Sequence, residues 1–204
     1  MKTKLMTMCL VVAVLAIGSA AQAALTDVGM GTITSGGSGS YKLIYDDVQD
    51  ITWLDYTSAS AKWSDQSSWA DNLVVSYGGQ TFDQWRLPIA GAGTGKSNHN
   101  TPELGHLYYE SLGGTLYNPP SETDPFENLV ISSEVDERYW TQTDASTNTK
   151  WVFQMGQGKY YSAFPMDQGG ENNLAIAVMD GQVPEPATMA MLGLGALGLL
   201  RRKK

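Results

Sequence analysis

Thr101-Pro102-Glu103-Leu104-Gly105-His106-Leu107-Tyr108-Tyr109-Glu110-Ser111-Leu112-Gly113-Gly114 is the stretch on which the fold class turns. Threonine before proline reads as a helix start. The hydroxyl can cap free amides, and proline at the first helical position lacks an N–H that would have no partner there. The paired glycines supply a C-terminal stop, because glycine enters the left-handed conformation without a Cβ clash. Leu104, Leu107, Tyr108 and Leu112 recur at helical spacing and predict a buried face. Glu103, His106 and Glu110 fall opposite them, as a solvated polar face would.

Outward from this helix, a second is expected over 63–75, with Trp69 and Leu73 four apart. Before it, 24–40 is rich in Gly, Ser and Thr and reads as a loop or weak edge strand. Strands are expected at 41–45 and 51–54, around the acidic turn Asp46-Asp47-Val48-Gln49-Asp50. Trp85-Arg86-Leu87-Pro88 reads as a short strand stopped by proline, with Trp85 buried and Arg86 paired to a carboxylate. Beyond the helix and a loop through Pro119-Pro120, strands are expected near 139–143, 150–154, 159–161 and 174–179. Helices first and strands later predict an α+β class: a single compact domain with two main helices and an antiparallel sheet.

The ends of the chain read differently. Lys2 and Lys4 precede an apolar run, and small residues follow to Ala21-Gln22-Ala23. That order is a secretory signal, with cleavage by signal peptidase after Ala23, so 1–23 is set apart from the domain. Cys9, the only cysteine, lies inside it, which leaves the exported chain without disulfides, a thiolate nucleophile or a Cys-ligated metal. At the other end stand Pro184-Glu185-Pro186, an apolar stretch over 189–200 and Arg201-Arg202-Lys203-Lys204. A helix of that length covers roughly 18 Å, short of a comfortable bilayer span, and the terminal cations would stay on the cytoplasmic side.

Between them, 24–183 has the size of one domain. Without Lys2, Lys4 and the four terminal cations it keeps seven of the chain's 13 basic residues. Without Glu185 it keeps twenty of 21 acids, a net charge near −13. Such a surface repels phosphate backbones and argues against nucleic acid as a partner. The ten Tyr, six Trp and four Phe all fall in this domain, mostly as core, with one or two left exposed to stack on sugars.

Candidate chemistry is sparse. Ala90-Gly91-Ala92-Gly93-Thr94-Gly95-Lys96-Ser97 matches a relaxed phosphate loop. However, Asn98-His99-Asn100-Thr101 separates it from the helix start, and a phosphate loop works by opening directly into a helix. Glu103, His106 and Glu110 share a helix face without the second Glu-x-x-His that di-iron sites use. Asp46, Asp47 and Asp50 are hard oxygen donors that could take calcium; the competing reading is surface acids on a hairpin turn. No G-x-S-x-G or H-E-x-x-H is present, and nothing selects a glycosidase pair among the acids, so no catalytic activity and no obligatory cofactor are expected.

The arrangement Pro184-Glu185-Pro186, short apolar stretch, basic end resembles the PEP-CTERM sorting signal. The resemblance implies a sorting tail over 184–204 and brief retention in the inner membrane through the short transmembrane helix within it, over 189–200. Processing near Pro184–Pro186 by an exosortase-type membrane peptidase would follow, with release to the cell surface or the extracellular matrix. The domain resembles the Lcl C-terminal domain family as found on such proteins. The resemblance is carried by Thr52-Trp53-Leu54-Asp55, Trp69-Ala70-Asp71-Asn72-Leu73, Asp83-Gln84-Trp85-Arg86-Leu87-Pro88, Glu103-Leu104-Gly105-His106-Leu107-Tyr108-Tyr109, Tyr139-Trp140-Thr141 and Trp151-Val152-Phe153. It departs from the family at Val178-Met179-Asp180-Gly181-Gln182, where the family ends in Val-Arg and a Gly-Asp pair. That resemblance implies a compact, C-type-lectin-like α+β fold, adhesion or glycan binding to extracellular polysaccharide, and no enzymatic activity. A structural matrix protein without a small ligand, or a hydrolase of envelope polymers, are the alternatives.

Overall fold

The computed structural model describes residues 25–90, 102–134, 137–163 and 172–184. Its elements in chain order are β1 (Leu25–Ser35), β2 (Gly39–Asp46), β3 (Ile51–Ala61), α1 (Trp63–Asp71), β4 (Val74–Tyr77) and β5 (Gln80–Phe82). Then come α2 (Glu103–His106), which runs on as a π turn over Leu107–Ser111, and β6 (Tyr139–Ser146), β7 (Thr149–Gln154), β8 (Lys159–Ala163) and β9 (Asn173–Asp180). The strands form one sheet in the order β5-β4-β1-β2-β3-β9-β6-β7-β8. The pairs are antiparallel except β6 with β9, which run parallel. The last strand in sequence therefore lies in the middle of the sheet.

This corrects the expected class. Among the described residues strands make up 48% and helices 14%, so they form a nine-stranded mixed sheet rather than an α+β, C-type-lectin-like fold with two main helices. Three local causes account for the difference. The helix expected over 63–75 stops at Asp71, where Asn72 leaves helical geometry (φ −99, ψ 2) and its side-chain amide donates to Ser68 O at 2.7 Å. The β-branched Val74 and Val75 beyond it pair with β1 and β5, where branched side chains pack well.

The helix expected over 101–113 has only four α residues before Leu112 N donates back five residues to Leu107 O at 2.9 Å. Its apolar face does pack inward: Leu104, Leu107 and Tyr108 are fully buried.

The third cause is 24–40, expected as loop or edge, whose described residues hold β1, flanked by β2 and β4, and the start of β2. Its glycines serve close packing. A Cβ on Gly31 would come within 2.6 Å of Val75 Cγ1 and 3.1 Å of Leu43, so only a bare backbone fits between those side chains. Strand length also exceeds expectation in β3, which extends past 54 to Ala61 through register shifts against β9. The strands expected late in the chain are present as β6 to β9.

The central strands are buried on both faces, so β9 reads Asn173–Met179 with no exposed position. Alternate residues serve opposite cores. Leu43, Leu54, Trp140, Val152, Ala175, Ala177 and Val183 pack with Ala70, Leu73, Trp85 and Leu87 on one side. Ile44, Trp53, Tyr139, Phe153, Ile176 and Val178 pack under Leu104, Leu107, Tyr108, Phe126 and Leu129 on the other. The period of two makes this division obligatory once register is set.

Candidate functional site

Polar side chains gather at one end of the sheet, where the β2–β3 turn, the start of α2 and the end of β9 meet. Arg86 reaches the sheet through a backbone bridge to Val178. Its guanidinium donates to both oxygens of Glu103, at 2.9 and 2.7 Å, and to Asp180 Oδ1 at 2.5 Å. Glu103 also accepts from Ile89 N at 2.6 Å, and its backbone carbonyl accepts from Gln49 Nε2 at 3.2 Å. Burial lowers the proton affinity of the guanidinium, yet the Glu103 and Asp180 carboxylates hold its pKa above the usual arginine value. The fork-to-fork geometry is that of a strong, oriented ion pair.

Asp46 is fully buried beside this pair. Its Oδ1 accepts from Val48 N and Gln49 N, both at 3.1 Å, and its Oδ2 accepts from Gln49 Nε2 at 3.1 Å. It therefore builds the turn from inside. Asp50 sits at φ 51 and accepts from Tyr45 Oη at 2.9 Å, while Asp47 is exposed. The three acids expected as calcium donors thus take separate roles, and among the described residues no group of three His, Asp or Glu can hold a metal. His106 Nδ1 lies 3.6 Å from Asp46 Oδ2 without a hydrogen bond. The polar face expected of Glu103, His106 and Glu110 is split: Glu103 and His106 turn into the domain and only Glu110 is exposed.

The chain leaves the domain beside this cluster. Gly181 N donates to Asp50 O at 2.7 Å, Thr52 Oγ1 donates to Gly181 O at 2.7 Å, and Val183 N donates to Thr52 Oγ1 at 3.4 Å. Val183 is fully buried, and Pro184 is exposed. Glu185 and Pro186, the apolar stretch after them, the signal residues Ala21 and Ala23 and the loop over 91–100 lie outside the described residues.

A further carboxylate ties down the long crossover between the π turn and β6. Asp55 accepts from Glu127 N at 2.9 Å, Asn128 N at 3.0 Å and Asn128 Nδ2 at 3.2 Å, which places Phe126 and Leu129 on the sheet. Burial raises its pKa from the usual 3.8, against the pull of those donors.

Aromatic rings are mostly buried or half-buried, as expected. Tyr117 is 62% exposed, and Leu116 beside it 46%. Tyr117 is a non-glycine residue at φ 62, held there by reciprocal Thr115–Asn118 backbone bonds and by its own N–H to Gln157 O at 3.1 Å. Lys159 Nζ sits 3.9 Å from the ring centroid. A side chain in a left-handed turn costs about 1 kcal/mol or more, and such outliers concentrate at working surfaces. Sequence reading missed this residue, because neither its exposure nor its φ has a local signal. Glu103 had one: a buried arginine requires a carboxylate.

Among the described residues no helix is long and apolar enough to cross a membrane. Comparison with known families matches residues 182–204 to the PEP-CTERM protein-sorting motif. A match to the Lcl C-terminal family is not shown, so the resemblance of the domain to it gains no support. No curated protein and no solved structure matches the chain. What the comparisons establish is carried by the tail: this is an exported protein bearing a PEP-CTERM motif, the signal that exosortase processes.

Proposed function

We propose that the domain is a non-catalytic glycan-binding or adhesion module, displayed on the cell surface or in the extracellular matrix after exosortase sorting. Its tail holds it briefly in the inner membrane before processing. The observation that carries the binding role is Tyr117: an exposed ring carried on a backbone-bonded turn, beside Lys159, Gln157 and Asn118. A rigid aromatic face with a few polar groups is what a sugar ring needs, with little ordering cost on binding. The buried carboxylates support the non-catalytic reading, since Asp46, Asp55 and Glu103 are committed to a turn, a loop and Arg86. The net charge favours neutral or cationic glycans over sulfated or uronic ones, because like charges across an interface cost several kcal/mol.

Calorimetric titration of the full chain with neutral polysaccharides tests this, with and without calcium. Binding should weaken at least about tenfold in Tyr117→Ala, the loss of roughly 1.4 kcal/mol of stacking. Absence of heat at millimolar sugar, together with ready self-association, would transfer the assignment to a structural matrix protein.

A further inference from the structure

We infer that the folded domain sets where the sorting tail is cut, with Thr52 as the positioning residue. This rests on the sorting reading and adds to it the register of the cut. The sorting match begins at residue 182, yet Val183 is fully buried in the core cluster that contains Leu54, Trp85 and Leu87. Thr52, itself buried, donates to Gly181 O and accepts from Val183 N, so one hydroxyl closes the chain end onto β3. Gly181 N is spent on Asp50 O. The preceding strand, β9, sits between β3 and β6 in the middle of the sheet. The first residues of the motif are therefore part of the fold as well as of the signal.

A peptidase needs several residues of extended backbone on each side of the bond it cuts, with their amide groups available to its cleft. Gly181 has its N–H and carbonyl bonded to the domain, Val183 has its N–H on Thr52 and its side chain in the core, and only Gln182 between them is exposed. Entry upstream of Pro184 requires local opening of this end of the sheet, and the cutting rate then follows the small open population. Pro184 is exposed and past the last bond. The scissile bond thus lies on the C-terminal side of Pro184. Its C–N bond breaks, and water supplies hydroxyl to the new carboxyl group and a proton to the leaving amine. The product keeps Val183 seated, so processing leaves the core intact.

The test uses the full chain in a host that carries out the processing, with the C-terminus of the released protein read by intact mass. Wild type should end at Pro184 or later. Thr52→Val removes the hydroxyl at nearly constant shape and should add ends at 181–183, and Thr52→Ser should restore the wild-type end. Amide exchange at Val183 should speed up about fivefold or more in Thr52→Val, as loss of one hydrogen bond implies. A broad-specificity protease on the purified, folded wild-type chain supplies an arm that needs no folded variant, and of its cuts beyond β9 the first should fall after Pro184. Ends at 181–183 in folded wild type overturn the inference. So does Thr52→Val that exchanges faster at Val183 yet shows only the wild-type end. Intact Lys204 ends in the host, with the broad-specificity protease still stopped at Pro184, would instead sink the sorting reading and leave the shielding in place.

Discussion

Arg86→Ala removes the group that joins the start of α2 to the centre of the sheet, and its cost can be worked from the contacts. Side-chain exposure is 17% for Arg86 and 13% for Glu103, so the pair is largely withdrawn from water. Removing one partner of a buried pair costs about 3–5 kcal/mol, mainly because the other charge is stranded. Glu103 keeps the Ile89 N–H, which places the expected cost near the lower end, about 3 kcal/mol. For a domain of this size each kcal/mol moves the melting temperature by about 2–4 °C, so a drop of roughly 6–12 °C follows. Glu103→Ala should cost a similar amount. The double variant strands neither charge and should fall short of the sum by about 2 kcal/mol. Asp180→Ala removes a carboxylate whose side chain is 80% exposed, and should cost under about 1 kcal/mol. Urea unfolding of the full chain, followed by tryptophan fluorescence, measures all four, with an unchanged slope confirming comparable unfolding. Additive single costs, or Arg86→Ala within about 0.5 kcal/mol of wild type, would refute the claim that this pair holds α2 to the sheet.

Two further outcomes follow from the packing and from Asp55. Leu107→Ala should lose about 2–5 kcal/mol, because Leu107 is fully buried, while Glu110→Ala on the exposed side should stay within about 0.5 kcal/mol; equal effects in urea melts would contradict the face assignment. Asp55 has its carboxyl pushed above the usual 3.8 by burial, so just above that pH the native state holds a proton the unfolded chain has released. Its contribution to stability is therefore present on the acid side and declines as pH rises through that window. Wild type should lose stability relative to Asp55→Asn as pH is raised from about 4 towards neutral; a relative gain over that range would mean a depressed carboxyl.

Much of what this chain is for lies in local sequence. Pro184-Glu185-Pro186 with its basic end belongs to a linear sorting motif, so no fold is needed to see it, and the order of charge, apolar run and small residues expected to act as an export signal is equally local. The late strands were legible because alternation and aromatic or β-branched content are local properties. So was the need of Arg86 for a carboxylate. Other features were decided only by long-range contact. Gly31 gives no local sign that Val75 will press against it, and so a glycine-rich segment became an interior strand. Leu104, Leu107 and Tyr108 announced a buried face but not a helix that would open into a π turn. Asp46 and Asp50 looked like a donor cluster because they are near in sequence. In the fold, one is drawn inward by Val48 and Gln49 amides and the other outward to Tyr45. The placement of the sorting junction follows the same rule. Sequence marks Pro184, but the seating of Val183 in the core depends on Thr52, 131 residues away in the chain, and only sheet pairing brings them together.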